Sequence, residues 1–468
     1  MATEPIASTL KPRTFSHPAV TDPAALSFGR APRPVRCRAT GLVLGAGQVY
    51  PELNFTLPPM LVDAQTWPRV RAVYTDIIDA VVRRAEDLAL PGLVVEFEHL
   101  PPMTAEPARG AELTRLLKDR LLRAQSDFGL KAALRVTIVD LRDELRPPPR
   151  RSGAAWSAMR QSLEQCAAAG ADILSIESTG GKEVHDAALT RADLAGIVFA
   201  LGVLAPRDMA WLWDRFVEVA AAHGIIAGGD SACGFENTAM QLAGQKMLPD
   251  VLAALVRALS SVRSLVAFER GAVGPSKDCA YEGPVMKAIA GVPIAMEGRS
   301  ATCAHLSPIG NVAAAMADLW SNESVPDVRL LSGPAPIASL ESLVYDCRLL
   351  NAALARGSER ELRDLHVASD LPHSAQAVLL SPAATVALAE AITRVSDPYA
   401  RTLAAGRTAI TILEQADRDG VWRMPARERK WFDRLRAALD GLPEAPDALH
   451  AQIAPRYGAL FDPRAYDL

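Results

Sequence analysis

Short apolar runs alternate with longer segments of helical periodicity over the middle of this chain. Eight runs are predicted as strands, at residues 92–99, 134–140, 172–177, 196–203, 224–229, 264–269, 292–297 and 327–332. Helical segments such as residues 207–223 and 238–260 separate most of them. Eight strand–helix units in about 250 residues predict a parallel TIM (β/α)8 barrel. A doubly wound open sheet is the alternative, but no phosphate-binding glycine loop follows the first strand.

The regions on either side of residues 91–340, the predicted barrel, have different patterns. Residues 1–90 are predicted to hold an extended arm, a hairpin and a helix at 70–88, all packed on the barrel. Gly45 and Gly47 resemble part of a dinucleotide-binding loop, but Pro51 interrupts the helix that should follow, which favours the hairpin. Residues 341–468 are predicted to form a layer of C-terminal helices and an oligomer surface.

Composition narrows the class of protein. The 468 residues are 49% hydrophobic and 22% charged, and the net charge of −4 argues against a broad nucleic-acid surface. Six cysteines without paired spacing indicate a reducing compartment, with free thiols or a metal site. No signal-peptide core is found at the N-terminus, and the longest apolar run, 194–206, is too short to span a bilayer. We therefore expect a cytoplasmic protein that does not enter the membrane.

Three polar phrases follow apolar runs in the second half of the predicted barrel. They are GGDSACGF from Gly228, GAVGPSKDCAYEGP from Gly271 and MEGRSATCAHLSP from Met296. The loops at the carboxyl ends of barrel strands carry the catalytic residues of such enzymes. The chemistry is therefore expected in these loops.

A metal site is one interpretation of these loops. Glu177 ends the strand at 172–177, and Cys233 and Cys279 follow later strands. Two thiolates and a carboxylate suit Zn²⁺, and three protein ligands leave a fourth position open, as in catalytic zinc. Alternatively, Glu177 pairs with a basic side chain and the cysteines are small buried apolar residues. Cys303 competes for the third ligand position.

Four further residues are candidates for proton transfer or for orienting a ligand: Asp230, Lys277, Asp278 and His305. Asp230 precedes Cys233 by three positions and is our first choice among the four, although its position favours a cap of the next helix. His305 is also a candidate metal ligand. The sequence alone does not choose among these roles.

Whole phrases of the chain resemble a known family. SIESTGGKE, GGDSACGF, LVAFERGAVGPSKDCAYEGP, MEGRSATCAHLSPIGN and ADLWSNES are similar to the zinc-dependent methanol–corrinoid methyltransferases, and the likeness covers most of residues 42–350. The resemblance implies a TIM barrel with extra helices. It also implies zinc on Glu177, Cys233 and Cys279, rather than on Cys303. The implied activity is transfer of the methyl group of zinc-bound methanol to Co(I) of a corrinoid protein.

The resemblance also implies a separate corrinoid protein as partner. The phrase DLHVAS at 364–369 is close to a corrinoid-binding motif, but Ser369 replaces its glycine, so we expect no corrinoid on this chain. The basic loop at 142–153 is a candidate partner contact or an ordinary solvated loop. We expect a homodimer or a heterotetramer with the corrinoid protein. The alternatives are another methyl donor, such as a methoxylated aromatic, or an inactive docking partner.

Overall fold

The computed structural model describes residues 12–55, 57, 60–323, 329–330 and 333–468. Its strands are β1 (Arg30–Arg36), β2 (Val43–Ala46), β3 (Tyr50–Asn54), β4 (Gly92–Glu98), β5 (Lys131–Ile138), β6 (Ile173–Ile176), β7 (Ile226–Asp230), β8 (Ala295–Glu297), β9 (Leu319–Ser321), β10 (Arg329–Leu330) and β11 (Gly333–Pro334). Seven of them form one sheet in the order β7-β6-β5-β4-β3-β9-β8. Every neighbouring pair in this sheet is parallel.

An irregular segment between β7 and β8 closes this sheet into a barrel. The amide nitrogens of Val273 and Gly274 donate to the carbonyls of Ala227 and Gly228 in β7, both at 2.9 Å. On the other side, the amide of Ala295 in β8 donates to Ser276 Oγ at 3.3 Å. Residues 273–276 therefore occupy the place of an eighth strand, and the predicted TIM barrel fold is confirmed.

Helices cover the outside of the barrel and make up the region after it. They are α1 (Trp67–Asp87), α2 (Pro101–Ala105), α3 (Pro107–Phe128), α4 (Gly153–Ala169), α5 (Lys182–Leu189), α6 (Leu194–Phe199), α7 (Ala205–His223), α8 (Cys233–Gly244), α9 (Asp250–Arg270), α10 (Gly283–Ala290), α11 (Arg299–Ala304), α12 (Gly310–Ala314), α13 (Ala335–Arg356), α14 (Glu359–Asp370), α15 (Ala375–Leu380), α16 (Pro382–Thr393), α17 (Pro398–Arg418), α18 (Ala426–Asp440) and α19 (Pro446–Tyr457). The predicted helices at 70–88 and 207–223 are confirmed as α1 and α7. The single helix predicted at 238–260 is instead α8 and α9, because Pro249 lies at the start of α9.

Three of the eight strand predictions are wrong or misplaced. Residues 196–203 lie in α6 and the π-helical turn after it, and residues 264–269 lie inside α9. Both stretches are almost fully buried, and an apolar run of that kind does not distinguish a strand from a buried helix. The last barrel strand along the chain is β9, not residues 327–332. Of those residues, Arg329–Leu330 pairs with β11 and the others lie outside the described residues.

The hairpin predicted around Gly45 is also wrong in its pairing. Strand β2 pairs with β1, and β3 enters the barrel between β4 and β9. The β1–β2 hairpin buries Cys37, Leu42 and Leu44 at the amino end of the barrel. They pack against one apolar residue from each of the six strands β4 to β9, namely Val94, Ala133, Ile173, Ile226, Ala295 and Leu319. The hairpin plugs that end, so a small molecule reaches the barrel centre from the carboxyl end.

Two helical stretches are long and apolar enough to cross a membrane by length and composition alone. They are Leu194–His223 and Asp250–Arg270, and their most apolar windows are 83% and 100% buried inside the protein. Burial of this extent is typical of core helices. Helix α9 packs against α7, α8 and α17, which accounts for its composition.

Candidate metal centre

Three adjacent strand ends bring the predicted metal ligands together. Glu177 directly follows β6, Cys233 begins α8 after β7, and Cys279 follows the segment at 273–276. One donor atom from each of the three residues lies within 4.8 Å of the others. The sequence separates these residues by up to 102 positions, and the parallel strands place them at one edge of the barrel.

Short contacts hold the three donors in place. Cys279 Sγ lies 2.7 Å from Glu177 Oε1 and 3.2 Å from Ser231 Oγ. Cys233 Sγ accepts a hydrogen bond from Asn237 Nδ2 at 2.8 Å, one helical turn later in α8. Glu177 and Cys233 are half-buried while Cys279 is buried, so the donor set is open on one side. That geometry leaves room for a fourth ligand.

The electrostatics of the three donors favour a cation among them. A hydrogen bond with Cys279 lowers the pKa of the Cys233 thiol, but burial and the charge of Glu177 outweigh it and raise that pKa to about 12. Burial, with Cys233 and Glu177 nearby, raises the pKa of Cys279 well above its usual range. Burial also raises the pKa of Glu177. A divalent ion would release these protons and stabilise the charged donors.

Lys277 is the ammonium group beside this cluster. Its Nζ lies 2.6 Å from Asp278, 3.1 Å from Glu98, 3.4 Å from Glu177 and 3.5 Å from Glu96. Burial alone would lower the pKa of Lys277, but the charges of Asp278, Cys279, Glu96 and Glu98 raise it well above its usual range. Burial raises the pKa values of Glu96 and Glu177, and a cation bound beside them would favour their charged forms.

The carboxylate of Asp278 is held in this pocket by an ion pair and several hydrogen bonds. Burial raises its pKa, but the charge and hydrogen bond of Lys277 outweigh burial, so its pKa is lowered to about 2. Its Oδ1 accepts from the amide of Cys279 at 2.8 Å, and its Oδ2 accepts from Ser321 Oγ at 3.1 Å. Asp278 therefore holds the loop that carries Cys279.

Asp230 is buried behind the donors and is fully engaged. Its Oδ1 accepts from the amides of Ser178 and Ser231 and from Arg263, at 3.1, 2.8 and 3.0 Å. Its Oδ2 accepts from Trp213 Nε1 at 2.9 Å. Ser178 follows Glu177, and Ser231 lies two residues before Cys233. These contacts favour a role in positioning two donor loops over a role as proton donor.

His305 lies near the cluster but in a second group with Glu297 and Glu323. Glu297 is the last residue of β8 and Glu323 follows β9, so both side chains stand at the same edge of the barrel as the donors. Neither carboxylate is among the site residues predicted from the sequence. Glu297 could have been predicted by the same pattern as Glu177, because each is a carboxylate at the end of an apolar strand.

Comparisons with known proteins show the family of this chain. The family model described as "Methanol-cobalamin methyltransferase B subunit" matches residues 13–467. The chain belongs to this family. The "Methanol--corrinoid protein co-methyltransferase" of Methanosarcina barkeri (strain Fusaro / DSM 804) is 35% identical over 448 residues, which are 94% of this chain and 96% of that protein.

A solved structure resembles almost the whole of this chain. The crystal structure of the methanol:cobalamin methyltransferase complex MtaBC from Methanosarcina barkeri matches with a TM-score of 0.93 at 33% identity. The match covers 97% of this chain and 100% of that one. The likeness therefore extends through the hairpin at the amino end and the helices after Ala335.

Other predicted functional residues of this family member lie elsewhere. Cys303 is exposed on α11 and is not part of the donor group. In the basic loop at 142–153, Arg142 and Arg150 are buried in ion pairs with Asp140, Asp208 and Glu183, so they are not a partner surface. Arg146 is exposed and pairs with Asp143. His366, in the phrase at 364–369, lies within α14.

Proposed function

We propose that this protein transfers the methyl group of methanol to Co(I) of a separate corrinoid protein. The observation that carries the proposal is the donor group of Glu177, Cys233 and Cys279 at three adjacent strand ends, in a chain of this family. The reaction breaks the C–O bond and forms a C–Co bond, with the electron pair supplied by cobalt. The oxygen leaves with the C–O pair and takes up a proton.

Zinc fits the donor group better than a hard cation does. Two thiols are soft donors, which zinc accepts and which Mg²⁺ and Ca²⁺ avoid. Zinc, when bound, supplies a Lewis acid that weakens the C–O bond of methanol. Glu177, Cys233 and Cys279 would hold it, and the open side of the group faces the carboxyl end of the barrel.

Neighbouring residues of the chain hold the three donor side chains in position. Asp230 ties the loops of Glu177 and Cys233 together through two backbone amides. Asp278 orients the loop of Cys279, and Lys277 offsets part of the negative charge when the donors ionise. Such supporting contacts set ligand orientation and metal affinity.

The partner and location follow from the same proposal. The plugged amino end leaves the carboxyl end as the entrance, so the corrinoid protein must dock over Glu177, Cys233 and Cys279. We infer a cytoplasmic enzyme, because six free cysteines suit a reducing compartment. A dimer of this chain, or a heterotetramer with the corrinoid protein, is the expected assembly.

A donor panel tests the substrate. The purified chain is mixed with a reduced corrinoid protein and either methanol or a methoxylated aromatic, and the change from Co(I) to methyl–Co(III) is followed by absorbance. Methanol should react and the aromatic should not. Reaction of the aromatic alone would replace the substrate, and no reaction with any donor would favour an inactive docking partner.

Metal analysis tests the donor group separately. Cys233→Ala and Cys279→Ala each remove a charged ligand, so each variant should lose most of its zinc. Cys303→Ala is the matched control, since this thiol lies outside the group, and it should keep one zinc per chain. Full zinc content in both ligand variants would overturn the assignment.

A further inference from the structure

His305 stands between two carboxylates on a line from solvent to the interior. Its Nδ1 lies 3.9 Å from Glu297 Oε2, and its Nε2 lies 3.9 Å from Glu323 Oε2. The exposed fraction of the side chain falls from 41% at Glu323 to 16% at His305 and 3% at Glu297. The three groups therefore form a row with one end in water and the other end buried.

The inner end of the row lies in the same layer of the barrel as the donor group. Glu297 pairs in parallel register with Ser321, whose hydroxyl donates to Asp278, the residue before Cys279. Tyr281 OH donates to Glu297 Oε2 at 3.2 Å and fixes the carboxylate. Glu297 is thus held at the carboxyl end of the barrel, where the substrate must enter.

The orientation of the imidazole suits proton transfer along the row. Each ring nitrogen faces a different carboxylate, whereas a single metal ion takes one nitrogen of a histidine. Among the described residues, the buried Nδ1 of His305 has no hydrogen-bond partner. A rotation that shortens each 3.9 Å gap by about 1 Å would reach hydrogen-bond distance.

The pKa values of the three groups are shifted in directions that suit proton transfer along this row. Burial and the nearby negative charge of Asp278 raise the pKa of Glu323 to about 7, although the ammonium group of Lys277 opposes them. Burial and Asp278 raise the pKa of Glu297 well above its usual range, and burial and Arg257 lower the pKa of His305. The charged groups that face the row are Glu98, Glu177, Arg257, Lys277 and Asp278.

On the basis of the proposed function, we propose that Glu323, His305 and Glu297 carry one proton from solvent to the oxygen that leaves methanol. Glu297 gives its proton to the oxygen as the C–O bond breaks and the methyl carbon bonds to cobalt. His305 reprotonates Glu297, Glu323 reprotonates His305, and solvent reprotonates Glu323. The sum is methanol, Co(I) and one proton giving methyl–Co(III) and water.

Single-turnover methyl transfer from methanol tests the path. His305→Ala should slow transfer by about 100-fold, the usual scale of acid–base catalysis, and added imidazole should restore part of the rate. Glu323→Gln changes a half-exposed group without altering its shape, so it should fold normally and slow transfer in the same direction. His223→Ala, at an exposed position at the end of α7, is the control and should react at the wild-type rate.

Zinc analysis on the same samples separates the outcomes. Every variant should hold one zinc per chain, since none of the changed residues belongs to the donor group. Unchanged rates in both His305→Ala and Glu323→Gln would refute the path. Two metal ions in the wild type and one in His305→Ala would identify a second metal site and overturn it. An inactive wild type would instead refute the proposed function on which the path depends.

Discussion

Among substitutions near the donor loops, Asp230→Asn is expected to reduce the stability of the protein most. The Asn oxygen can keep the place of Oδ1, facing Ser178, Ser231 and Arg263. Its amide nitrogen then faces Trp213 Nε1, which is also a donor and lies 2.9 Å from the present Oδ2. The substitution also removes the charge that pairs with Arg263, and both side chains of that pair are fully buried. Asparagine therefore leaves a buried cation without its counter-charge.

The expected loss in the free energy of unfolding is about 3–5 kcal/mol, the usual result of removing one partner of a buried ion pair. Asp214→Asn is the matched control, because Asp214 pairs with Arg270 at the surface, where a pair contributes about 0–1 kcal/mol. Chemical denaturation of zinc-free samples, followed by circular dichroism, measures both values. The Asp230 variant should also bind zinc more weakly, since two donor loops lose their tie.

A double-mutant cycle identifies the cause of this loss. Arg263→Met removes the other charge, so the variant with both changes should be more stable than the sum of the single losses predicts, by about 1–3 kcal/mol. Additive losses would show that the two side chains do not act as a pair. A loss below about 1 kcal/mol in Asp230→Asn, equal to the control, would refute the reasoning from burial.

Two further predictions concern the loop after Glu177 and the row of His305. A Cβ on Gly180 would lie 2.4 Å from the buried Asp208. Gly180→Ala should therefore lose about 1–3 kcal/mol of unfolding free energy and some zinc affinity. Gly458→Ala is the control and should lose neither, because the nearest atom to its added Cβ lies at 3.7 Å. In metal-free protein, the folded state keeps the Glu323 proton up to about pH 7 while the unfolded chain releases it near 4.5, so stability should fall as pH rises between these values. Glu323→Gln should remove that component in denaturation midpoints measured across the range, and an unchanged slope would contradict it.

The sequence predicts the barrel well where strands and helices differ in length and periodicity. The strands at β4 to β7 and β8 follow apolar runs bounded by glycine or polar residues, and each was found near its place. The segments at 196–203 and 264–269 misled the prediction, because helices covered on all sides have no polar face. The segment at 273–276 and β9 were missed, since each is only a few residues long and lacks a pattern of its own.

The residues of the candidate site were likewise predicted only in part from the sequence. Glu177, Cys233 and Cys279 are recognisable because each stands in a distinctive phrase at a strand end, and the fold brings them together. The grouping of Glu297, His305 and Glu323 depends on the closure of the barrel at β8 and β9, which no local pattern of the sequence encodes. The engagement of Asp230 by four donors is likewise a result of tertiary packing.

The central claim is that zinc held by this chain enables methyl transfer from methanol to cobalt. The most direct measurement compares the rate of methyl–Co(III) formation by zinc-loaded, chelator-stripped and zinc-restored samples of one preparation. We predict one zinc per chain in the active samples, loss of transfer on stripping, and recovery on restoring the metal. Transfer by the stripped protein at the rate of the loaded protein would contradict the claim.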